Sequence, residues 1–178
     1  MNDLEITLFD VSLQRLASNF KSGNNYMDNF LQCPQSLDNS WGKTYIFTPK
    51  DRSKIVGYYN IGVGYIDMYQ DGIFEKIGGS IHINNFALDK NYQGYEIASF
   101  SKDEKIFLSD ILLQHCFHTI QKIRDHYLGF SFITLSSTKE GYNLYKRNGF
   151  EELENDMHFS ISESDVECIP MYLALDIE

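Results

Sequence analysis

Residues 144–153 read LYKRNGFEEL, and the glycine in this stretch separates a short helix from a strand. The residues up to Gly149, TKEGYNLYKRNG (138–149), predict the helix, because a glycine in the left-handed conformation commonly ends one. FEELE (150–154) predicts the strand that follows. On the N-terminal side, FSFITLS (130–136) is rich in β-branched and aromatic residues and predicts another strand. The quoted stretch therefore lies in a strand–helix–strand unit.

A long helix is predicted before this unit, over residues 102–127. Ser101 and Glu104 have the spacing of a capping box, and Gly129 follows the helix. Apolar residues recur at helical spacing, at Ile106, Leu108, Ile111, Leu112, Cys116, Ile120, Ile123 and Tyr127. SIHINNFAL (80–88), which comes earlier, predicts a strand, so strands and helices alternate over this half of the chain.

The N-terminal half predicts several strands and two shorter helices. In chain order, the sequence predicts a strand at 4–11, a helix at 12–20 capped by Ser12, a turn at 22–25, a helix at 26–32, a loop at 33–42 and strands at 43–50 and 55–69. A last strand is predicted at 168–175. Together these elements predict one α/β domain over residues 1–178, with a mixed sheet flanked by helices.

The composition is that of a folded chain. Hydrophobic residues make up 43% and aromatic residues 15% of the 178 residues, enough for one compact domain. No apolar run approaches the roughly 20 residues of a membrane span, and MNDLEITLFD (1–10) lacks the basic and apolar regions of a signal peptide. Cys33, Cys116 and Cys168 are scattered and indicate reduced thiols. We therefore expect a cytoplasmic protein that does not bind membranes.

The formal net charge is −10. Binding to a nucleic-acid backbone depends on clustered lysine and arginine. The acidity therefore argues against nucleic acid as the main partner and favours a small or cationic one.

The loop after Leu88 is a candidate anion site. Ligands of open α/β sheets bind beyond the carboxyl ends of strands, beside helix N-termini. After Asp89 comes a polar turn with Gln93 and Gly94, yet Glu96 stands where a second glycine would allow backbone N–H groups to approach a phosphate. Two sites stay open: the amides through Ala98, or a helix beginning at Ser101 with Lys102 and Lys105 adding charge.

These motifs resemble the GNAT acetyltransferase superfamily, over segments 83–98 and 132–153. LYKRNGFEEL matches the family segment LY-x-x-x-GF-x, and FALDKNYQG (86–94) matches its cofactor-binding strand and the start of its pyrophosphate loop. FKSGNNYMDNFL (20–31) is similar to the opening of GNAT toxins from toxin–antitoxin pairs. The resemblance implies a single GNAT-like domain with a mostly antiparallel sheet.

The sequence departs from the family at three places. The family loop reads Gln or Arg, two residues, Gly, one residue, then Gly or Ala, and Glu96 replaces its middle glycine. About ten extra residues precede the conserved part of the long helix. Thr138 and Gly141 stand where the family usually has Asn and Ala.

The resemblance implies an N-acetyltransferase that moves an acetyl group from acetyl-CoA directly to a primary amine. Tyr145 in LYKRNGF would protonate the departing thiolate, because a phenol with a pKa near ~10 is protonated at neutral pH. The resemblance assigns acetyl-CoA binding to the backbone of Phe86, Ala87 and Leu88 for pantetheine, to Gln93, Gly94, Tyr95 and Ala98 for the pyrophosphate, and to Ser136, Ser137 and Thr138 beside the pantetheine.

The incoming amine must also lose a proton, and the oxyanion must be stabilised. His82 and Glu75 lie on or near the cofactor strand as candidate bases, although structural or exposed roles are favoured for both. An amide near Phe86 or Ala87 would meet the oxyanion.

Three readings of the function stay open. The acceptor is a small-molecule or peptide amine in the first, and the resemblance also implies that a homodimer can form. The second is a toxin that acetylates aminoacyl-tRNA. The third is a non-catalytic GNAT-fold module that binds CoA or a protein.

Other constellations are set aside. His115 and His118 flank Cys116 on the long helix, but the apolar stripe through Cys116 favours core packing over a metal site. Cys168 and His158 lack the orienting acid of a thiol nucleophile. We assign no metal ligand.

Overall fold

The structure is a computed structural model that describes residues 4–99, 105–159 and 168–175. The described helices are α1 (Gln14–Ala17), α2 (Asn25–Gln32), α3 (Leu108–His126) and α4 (Tyr142–Arg147). The described strands are β1 (Leu4–Leu8), β2 (Lys43–Pro49), β3 (Gly57–Gln70), β4 (Ile73–Leu88), β5 (Glu96–Ser99), β6 (Lys105–Phe107), β7 (Phe132–Ser137), β8 (Glu151–Glu152), β9 (Met157–Phe159) and β10 (Ile169–Ala174).

Eight strands form one sheet in the order β1-β2-β3-β4-β7-β10-β8, with β9 paired to β3. The pairing of β4 with β7 is parallel, whereas β1–β2, β2–β3, β3–β9, β7–β10 and β8–β10 are antiparallel. The predicted mixed, mostly antiparallel sheet is thereby confirmed. The chain divides into two compact units, Met1–Ile61 with Asn85–Thr119 and Gly62–Asn84 with Ile120–Glu178.

In the first unit, α1 and α2 cover the start of the sheet. Asn24 caps α2 by accepting hydrogen bonds from the amides of Tyr26 and Met27. The unit's apolar core is made of buried side chains from both helices and from the strands, namely Phe9, Leu13, Leu16, Ala17, Phe20, Leu31, Ile46, Ile55, Tyr58 and Ala87.

In the second unit, α4 follows β7 and the chain returns as β10. Gly149 has φ +91° directly after the helix, as its predicted role in ending the helix requires. Buried apolar residues form the core here too, among them Ile66, Ile81, Ile133, Leu135, Leu144, Phe150 and Met171.

The first predicted helix is wrong in extent. Only Gln14–Ala17 are helical, and Ser12 does not cap them. The amide and hydroxyl of Ser12 instead donate to Oδ1 of Asp10, because a short acidic side chain competes locally with helix formation.

The predicted start of the long helix at residue 102 is also wrong. Residues 105–107 form β6, and α3 begins at Leu108, where the Asp110 carboxylate accepts from the Phe107 amide at 2.9 Å. The capping box of Ser101 and Glu104 lies outside the described residues. Among the residues that the structure describes, no helix is long and apolar enough to cross a membrane.

Candidate active site

Strand β4 runs beyond its ladder with β7. The ladder covers Ser80–Ile83, and β4 continues to Leu88. Its last residues are fixed against the start of β3, where the Asp89 amide donates to the Val56 carbonyl at 2.9 Å. Gly57 permits this approach, since a Cβ there would lie 2.6 Å from Cδ2 of Leu88.

Asp89 organises the turn that follows β4. Its carboxylate is buried and accepts from the Asn91 amide at 3.0 Å, from Nδ2 of Asn91 at 2.8 Å and from the Lys21 amide at 3.2 Å. The Lys90 amide donates to the Lys21 carbonyl at 2.8 Å. The turn is therefore bound to the loop between α1 and α2.

Gln93 strengthens the same connection. Its Nε2 donates to the Ser22 carbonyl at 2.7 Å and to the Leu88 carbonyl at 3.0 Å. The next residue, Gly94, has φ +68°, and a Cβ on it would meet nothing within 4 Å. The side-chain amide of Gln93 thus holds the turn in place. The backbone at Gly94 faces open space, and Tyr95 is exposed.

The extra residues form a hairpin of β5 and β6. Ala98 pairs with Ile106 across it, so Ala98 does not lead directly into a helix. The Leu108 amide donates to the Tyr95 carbonyl at 2.9 Å. The end of β6 is therefore connected to Tyr95, directly before the start of β5, and α3 begins beside Tyr95.

The charge of Glu96 is matched within this hairpin. Nζ of Lys105 lies 2.7 Å from Oε2 of Glu96. The Glu96 carboxylate is therefore paired with a cation.

The end of β7 leads tightly into α4. The buried Ser137 hydroxyl donates to the Thr138 carbonyl at 2.8 Å, and Oγ1 of Thr138 accepts from the Gly141 amide at 3.2 Å. Thr138, which replaces the family's Asn, thus stabilises the turn before the helix. Within the described part of the chain, Oγ of Ser136 is buried without a hydrogen-bond partner, and such an atom ordinarily has one.

Tyr145 is buried on α4 with its ring fixed in place. The ring meets Phe150 edge to face, with centroids 5.7 Å apart, and the Phe150 amide donates to the Tyr145 carbonyl at 3.1 Å. A Cβ on Gly141 would lie 3.2 Å from Cε2 of Tyr145 and 3.3 Å from Oγ of Ser137. Glycine at position 141 therefore makes room between these two side chains.

His82 and Glu75 are not together. Seven residues separate them on β4, which amounts to about 23 Å along a strand, and Glu75 is exposed. Nδ1 of His82 lies 2.9 Å from Oγ1 of the buried Thr134. Burial lowers the pKa of His82 to about 4, so the imidazole is neutral at neutral pH. These contacts favour a structural role for His82.

Two of the residues set aside as metal ligands, His115 and Cys116, contribute to packing. The Tyr59 hydroxyl lies 3.0 Å from Nδ1 of His115 and 2.9 Å from Oγ1 of Thr119. Cys116 is fully buried, which raises the pKa of its thiol. No three His, Cys, Asp or Glu side chains converge as metal ligands among residues 4–99, 105–159 and 168–175.

Sequence reasoning missed a pocket beside the Asp89 turn. It has a volume of about 290 Å³ and is lined by Asn19, Lys54, Ile55, Asp89, Asn91 and Tyr92. Nζ of Lys54 lies 4.9 Å from the centre of the Tyr92 ring. The Asp-x-Asn spacing at residues 89 and 91 signals the turn, but no local signal brings residues 19 and 54 to it.

The stretch FKSGNNYMDNFL is explained by packing. Oδ1 of Asp28 accepts from the amide and the hydroxyl of Ser22, both at 2.7 Å. Phe20 and Leu31 lie in the core. This stretch therefore contributes a buried polar contact and core side chains to the first unit.

Solved structures share this architecture. A bacterial toxin matches with a TM-score of 0.70 and 17% identity over 96% of this chain and 90% of its own. A crystal structure of AtaTR bound with AcCoA matches with a TM-score of 0.70 and 15% identity, over 98% of this chain and 95% of its own. The chain has the GNAT fold. AtaT complexed with acetyl-methionyl-tRNAfMet matches with a TM-score of 0.61 and 17% identity, over 89% of this chain and 94% of its own. No protein-family model and no curated protein sequence matches this GNAT-fold chain.

Proposed function

We propose that the chain is an acetyl-CoA-dependent N-acetyltransferase that acts on a primary amine. The observation that carries the proposal is Tyr145, which lies in the family motif on a helix that begins at Tyr142, four residues after Thr138. Gly141 leaves room for its ring, and Phe150 packs against the ring edge to face. A crystal structure of the same fold contains AcCoA, which supports acetyl-CoA as the donor.

The proposed donor site fits the residues present. Pantetheine amides would pair with the backbone of Phe86, Ala87 and Leu88, as a peptide pairs with a sheet edge. The open backbone at Gly94 suits a phosphate, and the buried Ser136 hydroxyl has a hydrogen-bond donor to offer. The Leu88 carbonyl already accepts from Gln93, so Gln93 positions the strand end and does not need to touch the donor.

Acetyl-CoA supplies an activated acyl group as a thioester. The neutral amine would attack its carbonyl, and the carbon–sulfur bond would break as the amide bond forms. An amide of β4 near Phe86 or Ala87 would stabilise the oxyanion, and the Tyr145 hydroxyl would give its proton to the departing sulfur. The attacking nitrogen would release one further proton, which restores the Tyr145 hydroxyl through water. His82, with a pKa of about 4, is a poor acceptor for the proton of an ammonium with a pKa near ~10.4. We therefore assign that proton to water.

The acceptor of the proposed enzyme is either an aminoacyl-tRNA or a small amine, and the toxins of this fold favour the aminoacyl-tRNA. AtaT has been solved with acetyl-methionyl-tRNAfMet, so the fold accommodates an aminoacyl-tRNA product in that protein. The net charge of −10 therefore does not exclude a tRNA acceptor, because charge can differ locally from the average. A small-molecule or peptide amine is the other class.

One assay separates these proposals. The purified protein is incubated with acetyl-CoA and, in parallel, with a panel of small amines, a peptide with a free N-terminus and methionyl-tRNA, while release of the CoA thiol is followed. Release that depends on one acceptor and falls in Tyr145→Phe supports the enzyme and identifies the acceptor class. CoA binding without turnover on any acceptor would instead favour the non-catalytic module.

A further inference from the structure

The inserted hairpin brings a lysine to the glutamate that stands in place of the loop glycine. Nζ of Lys105 lies 2.7 Å from Oε2 of Glu96, and the two side chains are 42% and 38% exposed. An ion pair this exposed contributes little to the stability of a fold. Stability therefore does not explain why a charged pair occupies this position.

The pair is fixed beside the Gly94 turn. Glu96 is two residues after Gly94, and the hydrogen bond from the Leu108 amide to the Tyr95 carbonyl, 2.9 Å long, closes the base of the hairpin. The Lys105 ammonium is therefore about one glutamate side chain away from the backbone of Glu96, two residues after Gly94. Glu96 and Phe107 also face each other across the strands, which fixes where β6 ends.

We propose that Lys105 binds the pyrophosphate of acetyl-CoA and that it also offsets the charge of the Glu96 carboxylate beside the phosphates. The inference rests on the proposed function. An ammonium has three N–H donors, so Lys105 can donate to Glu96 and to phosphate oxygens at the same time. Glu96 alone would repel the phosphates, whereas the pair carries no net charge. A cation from the inserted hairpin thus takes the place of the close backbone approach that a glycine permits.

The test compares binding of three probes by isothermal titration calorimetry. CoA and dephospho-CoA both contain the pyrophosphate, and pantetheine does not. The full-length variants are Lys105→Gln, Glu96→Gln, the double variant and Lys122→Gln. Lys122 is exposed and lies 14 residues after Leu108, about four turns along α3, so its substitution is a control for overall charge.

We expect Lys105→Gln to weaken CoA and dephospho-CoA by about tenfold or more and to leave pantetheine unchanged. Glu96→Gln should not weaken either nucleotide. The double variant should bind more tightly than Lys105→Gln, because it no longer places an unpaired carboxylate beside the phosphates. Lys122→Gln should bind all three probes as the wild type does, and all variants should melt near the wild-type temperature without ligand.

Four outcomes would overturn the inference. Equal losses in Lys105→Gln and Lys122→Gln would show only an overall charge effect. An equal loss for pantetheine would assign Lys105 to the shape of the hairpin. A loss for CoA but not for dephospho-CoA would place Lys105 at the 3′-phosphate. Nucleotide affinity that is independent of residue 105 refutes the inference alone, whereas a wild type that binds no CoA refutes the proposed function as well.

Discussion

Acid should destabilise the protein through His82. Burial, beside Phe159 and the fully buried Thr134, lowers the pKa of His82 from 6.5 to about 4. The unfolded chain therefore protonates this histidine at a higher pH than the folded protein does. The stability contributed by neutral His82 is complete above pH 6.5 and is lost as the pH falls through 4. At about 1.4 kcal/mol for each pH unit between the two pKa values, the loss is about 3 kcal/mol.

The assay is equilibrium unfolding in urea across this pH window, for the wild type and for His82→Gln. Glutamine does not titrate, and its amide can still reach Oγ1 of Thr134. Carboxylates affect both proteins alike, so the wild type should lose about 3 kcal/mol more than the variant does. His158→Gln, at an exposed histidine, should keep the wild-type pH dependence. Equal pH dependence in the wild type and His82→Gln would refute the reasoning.

Three further predictions concern the candidate site. Tyr145→Phe should lower turnover on the order of 10²-fold with acetyl-CoA affinity retained; steady-state kinetics and calorimetry check this, and wild-type turnover would remove Tyr145 from the mechanism. Gln93→Ala should lower the free energy of unfolding in urea by about 1–3 kcal/mol, because the buried Ser22 and Leu88 carbonyls lose a donor at 2.7 and 3.0 Å. An unchanged free energy of unfolding would mean that water replaces the side-chain amide. Gly57→Ala should lower the free energy of unfolding by about 1–3 kcal/mol, since its Cβ would lie 2.6 Å from Cδ2 of Leu88. Gly79→Ala is the matched control and should lower it less, because its Cβ meets no atom closer than 3.6 Å.

Local signals predicted the part of the fold around α4. Gly149 ends the helix because its φ of +91° suits glycine, and β7 and β10 follow from their β-branched and aromatic residues. The same local signals predicted α2, strands β2 and β3, and the second half of β4, whose residues 73–79 were not predicted as a strand. Each of these elements is specified by residues close together in sequence.

The misplaced helix starts have the opposite cause. The pattern of Ser101 and Glu104 gives a start signal, but Ala98 pairs with Ile106 and the Leu108 amide bonds to Tyr95. Strand pairing depends on packing that propensity does not contain. For the same reason the sequence could not reveal the hydrogen bond from Gln93 to Ser22, whose residues are 71 positions apart.

The candidate site was predicted in type more than in geometry. Tyr145 and Gly94 were named from their motifs, and the structure gives each a defined setting. Two contacts join residues that are distant in sequence, the pairing of Glu96 with Lys105 and the contact of His82 with Thr134. The sequence alone therefore suggested that Glu96 interrupts the loop and that His82 is a candidate base. In the structure the carboxylate has a cation, and the imidazole has a buried hydroxyl.

Binding of acetyl-CoA tests the central claim most directly. We would measure the melting temperature of the wild-type protein with and without acetyl-CoA at millimolar concentration. A ligand at about 100 times its Kd stabilises the folded state by about 2.7 kcal/mol. At about 2–4 °C per kcal/mol for a chain of this size, this corresponds to a rise of roughly 5–11 °C. The proposed function predicts that rise, and an unchanged melting temperature would contradict it.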